Sequence, residues 1–483
     1  MQGIVDSIGK GRNTTKTGER LPKGEKGVDM RIGIIGGGSG GYVAAIRAAQ
    51  LGAKVTVFEK DKLGGTCTNY GCIPTKVLYS IIHKMLDFEW GVSKKMWAGE
   101  ISPDWRMVQN FKNGVVSRLV RGIEFLFKKN KIELIYGEAQ ILSINMVSVE
   151  TTKGLKEYEF DKIILATGSA PNIPPVDGLS GISPWDNVEA LATQKVPQSL
   201  IILGGGVIGV EFAHIFRNFG SDVKIVELLP KILPFQDDEV SAAVDRALVG
   251  EGIEILTSQK AVSAHRSKSG VVLELADGST VEAEEIIVAT GRKVNLPKGA
   301  ENIGLKVEQN RIPVDKYRRT EIDNVYAVGD ITGEPHLEHK ATREGIIAVE
   351  HMFGIDSELD MDKIPAAIFT ALEVGTAGYT EKQAREKFGD DVKIGKFPYI
   401  ASGRAQAEGE PVGFIKIVAA PDDTIIGFHS VGRNASELLG LGGFLVQKQI
   451  KLSDVAETIF AHPTLSEMIE ESSLAAMRRA IHI

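Results

Sequence analysis

The stretch "RIGIIGGGSGGYVAAIRAAQLGAKVTVFEK" (residues 31–60) decides the fold. It reads as an apolar strand, a glycine turn, a helix of small residues and a second strand that closes on an acid. That order is the dinucleotide-binding fingerprint. Gly36 permits the tight turn, Gly38 lets the backbone approach a pyrophosphate, and Gly41 lets helix and strand pack closely. Glu59, 23 positions after Gly36, stands where a carboxylate accepts hydrogen bonds from a ribose.

The same construction returns in "SLIILGGGVIGVEFAHIFRNFGSDVKIVE" (199–227), with Gly204, Gly206, Gly209 and, again 23 positions on, Glu227. Each fingerprint is followed by an apolar strand ending in Ala-Thr-Gly: "KIILATGSAP" (162–171) after the first, and "EIIVATGRKV" (285–294), which includes Gly291, after the second. Two dinucleotide-binding units are therefore present. Glu227 would take a ribose 2'-hydroxyl and repel a 2'-phosphate, and the following "LLPKILP" supplies no arginine, so the second unit calls for NAD rather than NADP. The first unit then holds a different dinucleotide. "NVYAVGDI" (324–331), a strand ending in Gly329-Asp330, could close over its remaining length, and a flavin dinucleotide is the natural candidate.

A chain of 483 residues is expected to divide into about three domains. The expected division is residues 30–175 with 296–365 for the flavin unit, 176–295 for the NAD unit and 366–483 for an α+β third unit with no fingerprint. The fold class is α/β, with two Rossmann-like domains. A net charge of -7 argues against a nucleic-acid or anionic-membrane partner, both of which need a basic surface. No apolar run reaches the ~18 residues of a membrane span. Residues 1–29 carry six basic and four acidic side chains and no apolar middle segment, which reads as a disordered extension or a mis-chosen start rather than a signal. The expected location is cytoplasmic.

Only two cysteines occur, Cys67 and Cys72, within "GGTCTNYGCIPTK" (64–76). A structural disulfide across so short a loop would contribute only about 2 kcal/mol, and a reducing compartment disfavours it. A metal site lacks further cysteines and nearby histidines to complete four ligands, so none is expected. Redox chemistry fits better. Pro74 suits the first turn of a helix, which puts Cys72 just before a helix N-terminus, where the positive dipole end favours a thiolate. Lys76 lies on the same helix face and adds positive charge. Cys67, in the preceding glycine turn, would face an incoming thiol or disulfide.

"GGTCTNYGCIPTK" resembles the redox-disulfide motif of the class I pyridine nucleotide-disulfide oxidoreductases, and the similarity runs from about Met30 to the C-terminus. "GGYVAAIRAAQLG", "GIEFLFKKNKI", "GVIGVEFAHIFRNFG", "VYAVGDI", "HKATREGI" and "AHPTLSE" resemble most closely the members that oxidise dihydrolipoamide. The resemblance implies non-covalent FAD in the first unit, Cys67 as interchange thiol, and Cys72 as the thiol passing electrons to the flavin. It implies a Lys76–Glu211 ion pair beside the flavin ring. Asp330 with Leu337 and His339 of "HLEHKA", Ala139 of "YGEA", and Ser169 would lie along the same cofactor. His462, oriented by Glu467, would be the base, supplied across a homodimer to the partner's Cys67. The implied partner is a lipoyl-bearing protein domain, of a 2-oxo acid dehydrogenase complex or of the glycine cleavage system.

Departures are Ser39 where proline is common, Phe460 where many relatives carry a second histidine, and Ala371-Leu372 where His-Pro is frequent. The rivals are a glutathione-reductase-like enzyme, which Glu227 without adjacent arginines disfavours; mercuric reductase, which needs another cysteine pair near the C-terminus; and a flavin–NAD redox sensor without turnover.

Overall fold

Arg31–Ile35 is buried almost throughout, as a strand must be when it has parallel neighbours on both edges and helices on its faces. The computed structural model, which describes residues 30–151 and 154–483, seats this strand between Lys54–Glu59 and Lys162–Leu165 in a parallel sheet. The outer strands are Glu133–Tyr136 and, arriving from far along the chain, Val325–Ala327. The leader at 1–29 lies outside the described residues.

The second unit repeats the plan. Ser199–Leu203 runs between Asp222–Val226 and Glu285–Val288, with Glu254–Leu256 at the edge, all parallel. Each unit also carries a three-stranded antiparallel meander: Ala139–Ser143, Met146–Thr151 and Gly154–Glu159 in the first; Ala261–Arg266, Val271–Leu275 and Thr280–Ala283 in the second. A short antiparallel ribbon, Ser169–Pro171 against Arg292–Val294, stitches the two units together. The repeat read from the sequence is thus a structural repeat, and the strand at 325–327 returns to the first sheet beside Lys162–Leu165.

The third unit is a five-stranded antiparallel sheet in the order Ala366–Phe369, Glu373–Gly378, Ile425–Gly432, Gly413–Ala419, Lys393–Pro398. Helices Ala435–Gln447 and Glu467–Ala476 cover it. It is locked to the second unit by Lys416, which is buried with Asp237 at 3.0 Å, Glu239 at 2.9 Å and Glu381 at 2.7 Å. Unpaired, so deeply buried an ammonium would be strongly destabilising.

Two details differ from the sequence reading. Cys72 is the first residue of helix Cys72–Ser93 rather than the residue before it, and Cys67 sits in a short helix, Gly65–Tyr70, rather than in a turn. Gly64, at φ +96°, takes the left-handed conformation that lets this helix start directly after the strand-to-helix bend. Helix Cys72–Ser93 is gripped by all three units: Leu78 and Ile82 share one apolar core with Phe212 and Phe216 of the second unit and with Ile368, Val374 and Phe414 of the third.

The close packing at the fingerprint can be tested. A Cβ on Gly41 would lie 1.9 Å from the Gly36 carbonyl oxygen, whereas one on Gly114, in the exposed helix Trp105–Lys129, meets nothing. Gly41→Ala is expected to destabilise the apoprotein by about 3 kcal/mol, at the upper end of overpacking costs. Gly114→Ala should stabilise it by about 0.5–1 kcal/mol through helix propensity. Denaturant unfolding followed by circular dichroism measures both.

Candidate active site

The glycine turn of the first unit opens onto a groove made of two adjoining cavities. One, of about 330 Å³, is lined by Gly36, Glu59, Ala139 and Lys298. The other, of about 280 Å³, is lined by Cys67, Cys72, Lys76, Glu211, Asp330 and Leu337. Gly38, Thr66, Tyr70, Ser169 and Arg292 line both, so the groove runs from the first unit's acid to the thiol pair.

Its walls suit a long dinucleotide. Helix Ser39–Gln50 begins after Gly38 with no side chain capping its first amides, and a Cβ at Gly38 would meet only Gly65 Cα, at 3.7 Å. Free amide donors, the helix dipole and a glycine-lined edge are what a diphosphate needs. Helix Val207–Asn218 begins the same way after Gly206, where a Cβ would meet nothing. The two strand-end acids have a further task that the sequence did not disclose: each braces its own glycine turn. Glu59 accepts from Gly37 N at 2.7 Å and Asp61 N at 2.8 Å; Glu227 accepts from Gly205 N at 2.5 Å and Leu229 N at 2.7 Å. A carboxylate has about four acceptor positions, so both retain capacity for a ribose.

Both cysteines are free thiols that hydrogen-bond to each other. The bond from Cys67 holds Cys72 below the ordinary thiol value against the opposing effect of burial, and Lys76 helps. Cys67 is pushed well up by the same hydrogen bond, by burial and by the charge on Cys72. The pair therefore divides its labour: Cys72, at the start of its helix, is the more acidic sulfur, and Cys67 is the one that holds its proton more tightly. Lys76 Nζ meets both oxygens of Glu211 at 2.8 Å and lies over the Phe369 ring at 4.5 Å. Glu211 Oε1 also accepts from Phe369 N at 3.1 Å.

His462 lines neither cavity. Its side chain is 79% exposed, with Nδ1 2.9 Å from Glu467 Oε1. Partial burial pushes the Glu467 carboxyl up, but the Thr464 amide, at 2.7 Å, and His462 together hold it below its ordinary value. The carboxylate thus stays charged and fixes the ring. Gly291 lines neither cavity and takes a positive φ of 104° just before the inter-unit ribbon. His339 turns its ring away, Nε2 lying 2.7 Å from the Pro365 carbonyl oxygen, while His336 and Glu338 line the thiol cavity instead. Of the departures, Ser39 lines the thiol cavity, Phe460 packs against the third unit's core, and Leu372 packs against the core shared by the three units.

Arg292 was missed. It comes from the second unit yet lines both cavities of the first, donating from Nε to Ser169 Oγ at 2.7 Å and from its terminal nitrogen to Ser169 O at 2.7 Å. Ser169 in turn bonds Asp330. The signal lay in the repeat: Ser169 and Arg292 occupy the same place after the two Ala-Thr-Gly strands, and the antiparallel ribbon brings these equivalent positions together.

Two dinucleotide folds opening onto a thiol pair with one lowered and one raised pKa define a nucleotide-dependent disulfide oxidoreductase. The chain belongs to the pyridine nucleotide-disulphide oxidoreductase family, whose model matches residues 30–345, with the family's dimerisation domain at 364–473. It is 40% identical to dihydrolipoyl dehydrogenase of Staphylococcus aureus over 456 residues, 93% of this chain and 97% of that one. It is 38% identical to that of Geobacillus stearothermophilus, covering 95% and 99%. Among solved structures it resembles LpdA from Mycobacterium tuberculosis, with TM-score 0.84, 26% identity and coverage of 94% and 100%. It also resembles the HOCl-induced flavoprotein disulfide reductase RclA from Escherichia coli, with TM-score 0.82, 26% identity and coverage of 92% and 99%.

The acidity of Cys72 is measurable. In a Cys67→Ser background, whose hydroxyl keeps a hydrogen-bond donor, Cys72 should alkylate with a pH midpoint below that of a free thiol. Adding Lys76→Met should raise the midpoint and slow alkylation at pH 7 by about threefold or more, because a cation that favours the thiolate is lost.

Proposed function

We propose that this protein oxidises dihydrolipoamide carried on lipoyl-bearing protein domains, using FAD in the first unit and NAD in the second. The observation that carries this reading is the thiol pair in one cavity with the Lys76–Glu211 ion pair, at the end of a groove shaped for a dinucleotide. Near-full-length similarity to dihydrolipoyl dehydrogenases supports the choice of substrate. The protein works as a homodimer through the unit at 364–473.

The reaction starts with Cys67 and Cys72 joined as a disulfide. His462 of the partner subunit takes the proton from one thiol of dihydrolipoamide, and the resulting thiolate attacks Cys67 Sγ. The Cys67–Cys72 bond breaks and Cys72 leaves as the thiolate, favoured by its lowered pKa and by Lys76. The second substrate thiol attacks the substrate sulfur of the mixed disulfide. Lipoamide is released; the proton of that second thiol goes to the departing Cys67, whose pKa is raised, and the imidazolium keeps the first proton, balancing the Cys72 thiolate. Glu467 stabilises that imidazolium throughout. Gly36, Gly38, Glu59, Ser169 and Asp330 of the groove would hold FAD, which when bound would supply the two-electron oxidant for the dithiol, with NAD on the second unit as the final acceptor. Glu227, acidic and with no arginine beside it, selects NAD over NADP.

Purified holoprotein given dihydrolipoamide should form NADH rapidly with NAD and only slowly with NADP. His462→Gln should lower kcat by about 10²–10⁴ while FAD content and dimer mass are unchanged. A flavin reducible by NADH but no turnover of dihydrolipoamide would remove the substrate assignment and leave the cofactors.

A further inference from the structure

Behind the turn that carries Asp330 lies a cluster of charges, Lys340, Glu344 and Arg318, that lines neither cavity. Lys340 and Glu344, one turn apart on helix Glu338–Met352, have side chains 1% and 0% exposed, and Arg318 is nearly as buried. Lys340 Nζ donates to Gly333 O at 2.8 Å, to Thr332 Oγ1 at 2.9 Å and to Gly329 O at 3.2 Å, and lies 3.4 Å from Glu344. Glu344 accepts from Gly329 N at 2.6 Å, from Thr332 Oγ1 at 3.1 Å and from Arg318 at 3.0 Å.

Every one of these bonds but the Arg318 contact and the Lys340–Glu344 pair ends on the turn 329–333. Asp330, the turn's one charged side chain, points the other way, into the groove, where it bonds Ser169. The same helix that supplies the clamp presents Glu338 and Ala341 to the cavity, and its N-cap residue Leu337 joins them. Apolar residues would fill this space more cheaply, since burying ions costs several kcal/mol each before pairing. What apolar residues would not do is satisfy the amide and carbonyls of a turn whose Gly329 is left-handed, at φ +83°.

We propose that Lys340 and Glu344 are positioning residues for the flavin: they clamp the turn 329–333 from behind so that Asp330 is held at the groove wall. This rests on FAD being the occupant of the groove. A positioning role and a charge role make opposite predictions. The cluster carries two cations and one anion, so if it acted only by attracting an anionic cofactor, removing Lys340 would weaken binding and removing the charge of Glu344 would strengthen it. If it acts by holding the turn, both changes weaken binding, and so does loss of the Thr332 hydroxyl, which leaves all charges in place.

The test measures the FAD dissociation constant of the apoprotein, from quenching of flavin fluorescence, for wild type, Lys340→Met, Glu344→Gln and Thr332→Val, alongside the thermal midpoint of each apoprotein. The expected result is an increase in dissociation constant of about tenfold or more for Lys340→Met and Glu344→Gln, with a smaller increase for Thr332→Val. Tighter binding by Glu344→Gln would overturn positioning in favour of simple electrostatics. Lower apoprotein midpoints with unchanged FAD affinity would reduce the cluster to a structural role. If the two charge variants do not fold, the nearly isosteric Thr332→Val decides alone: wild-type affinity in it overturns the proposal. Failure of the wild-type apoprotein to bind FAD would instead remove the reading of the groove on which the inference rests.

Discussion

Lys76 and Glu211 meet at 2.8 Å where the three units of the chain converge. The lysine comes from the helix of the thiol pair, the carboxylate from the fingerprint helix of the second unit, and Phe369, at the edge of the third unit's sheet, adds its amide to the same carboxylate and its ring to the lysine. An ion pair with one member nearly buried is stable only if its remaining hydrogen-bonding capacity is met. Here that need ties together segments 135 and 158 residues apart. The thiol helix, the second unit's fingerprint helix and the edge of the third unit's sheet are joined at this one point.

Around this point, apolar packing supplies the energy and polar contacts supply the geometry. Leu78 and Ile82 anchor the thiol helix in a core shared with residues of the other two units. The Lys416 cluster and the Ser169–Arg292 contact then fix the angles between units. The thiol pair inherits its asymmetry from this scaffold. Cys72 is placed at a helix start near Lys76, and Cys67 one short helix earlier, so one sulfur is made more acidic and the other less.

His462 stands apart. With Glu467 it forms a preorganised pair on the third unit, its ring exposed, and neither residue lines the groove of its own chain. A histidine left in solvent beside a carboxylate costs the chain little; in the function proposed above it serves the groove of a second subunit.

The local devices of this protein were legible from its residues alone. Glycine spacing, a closing acid and continuously apolar strands all fall within some thirty residues, so both dinucleotide folds could be read directly, and the two cysteines stood out by their rarity. What tertiary structure alone decided is where side chains are aimed: Arg292 crossing into the first unit's groove, Glu59 and Glu227 bracing their own turns, His339 turned away while His336 and Glu338 line the cavity, and Lys340 and Glu344 clamping a turn from behind. Side-chain direction on a helix depends on what packs against each face, and a single chain read in order does not contain that information.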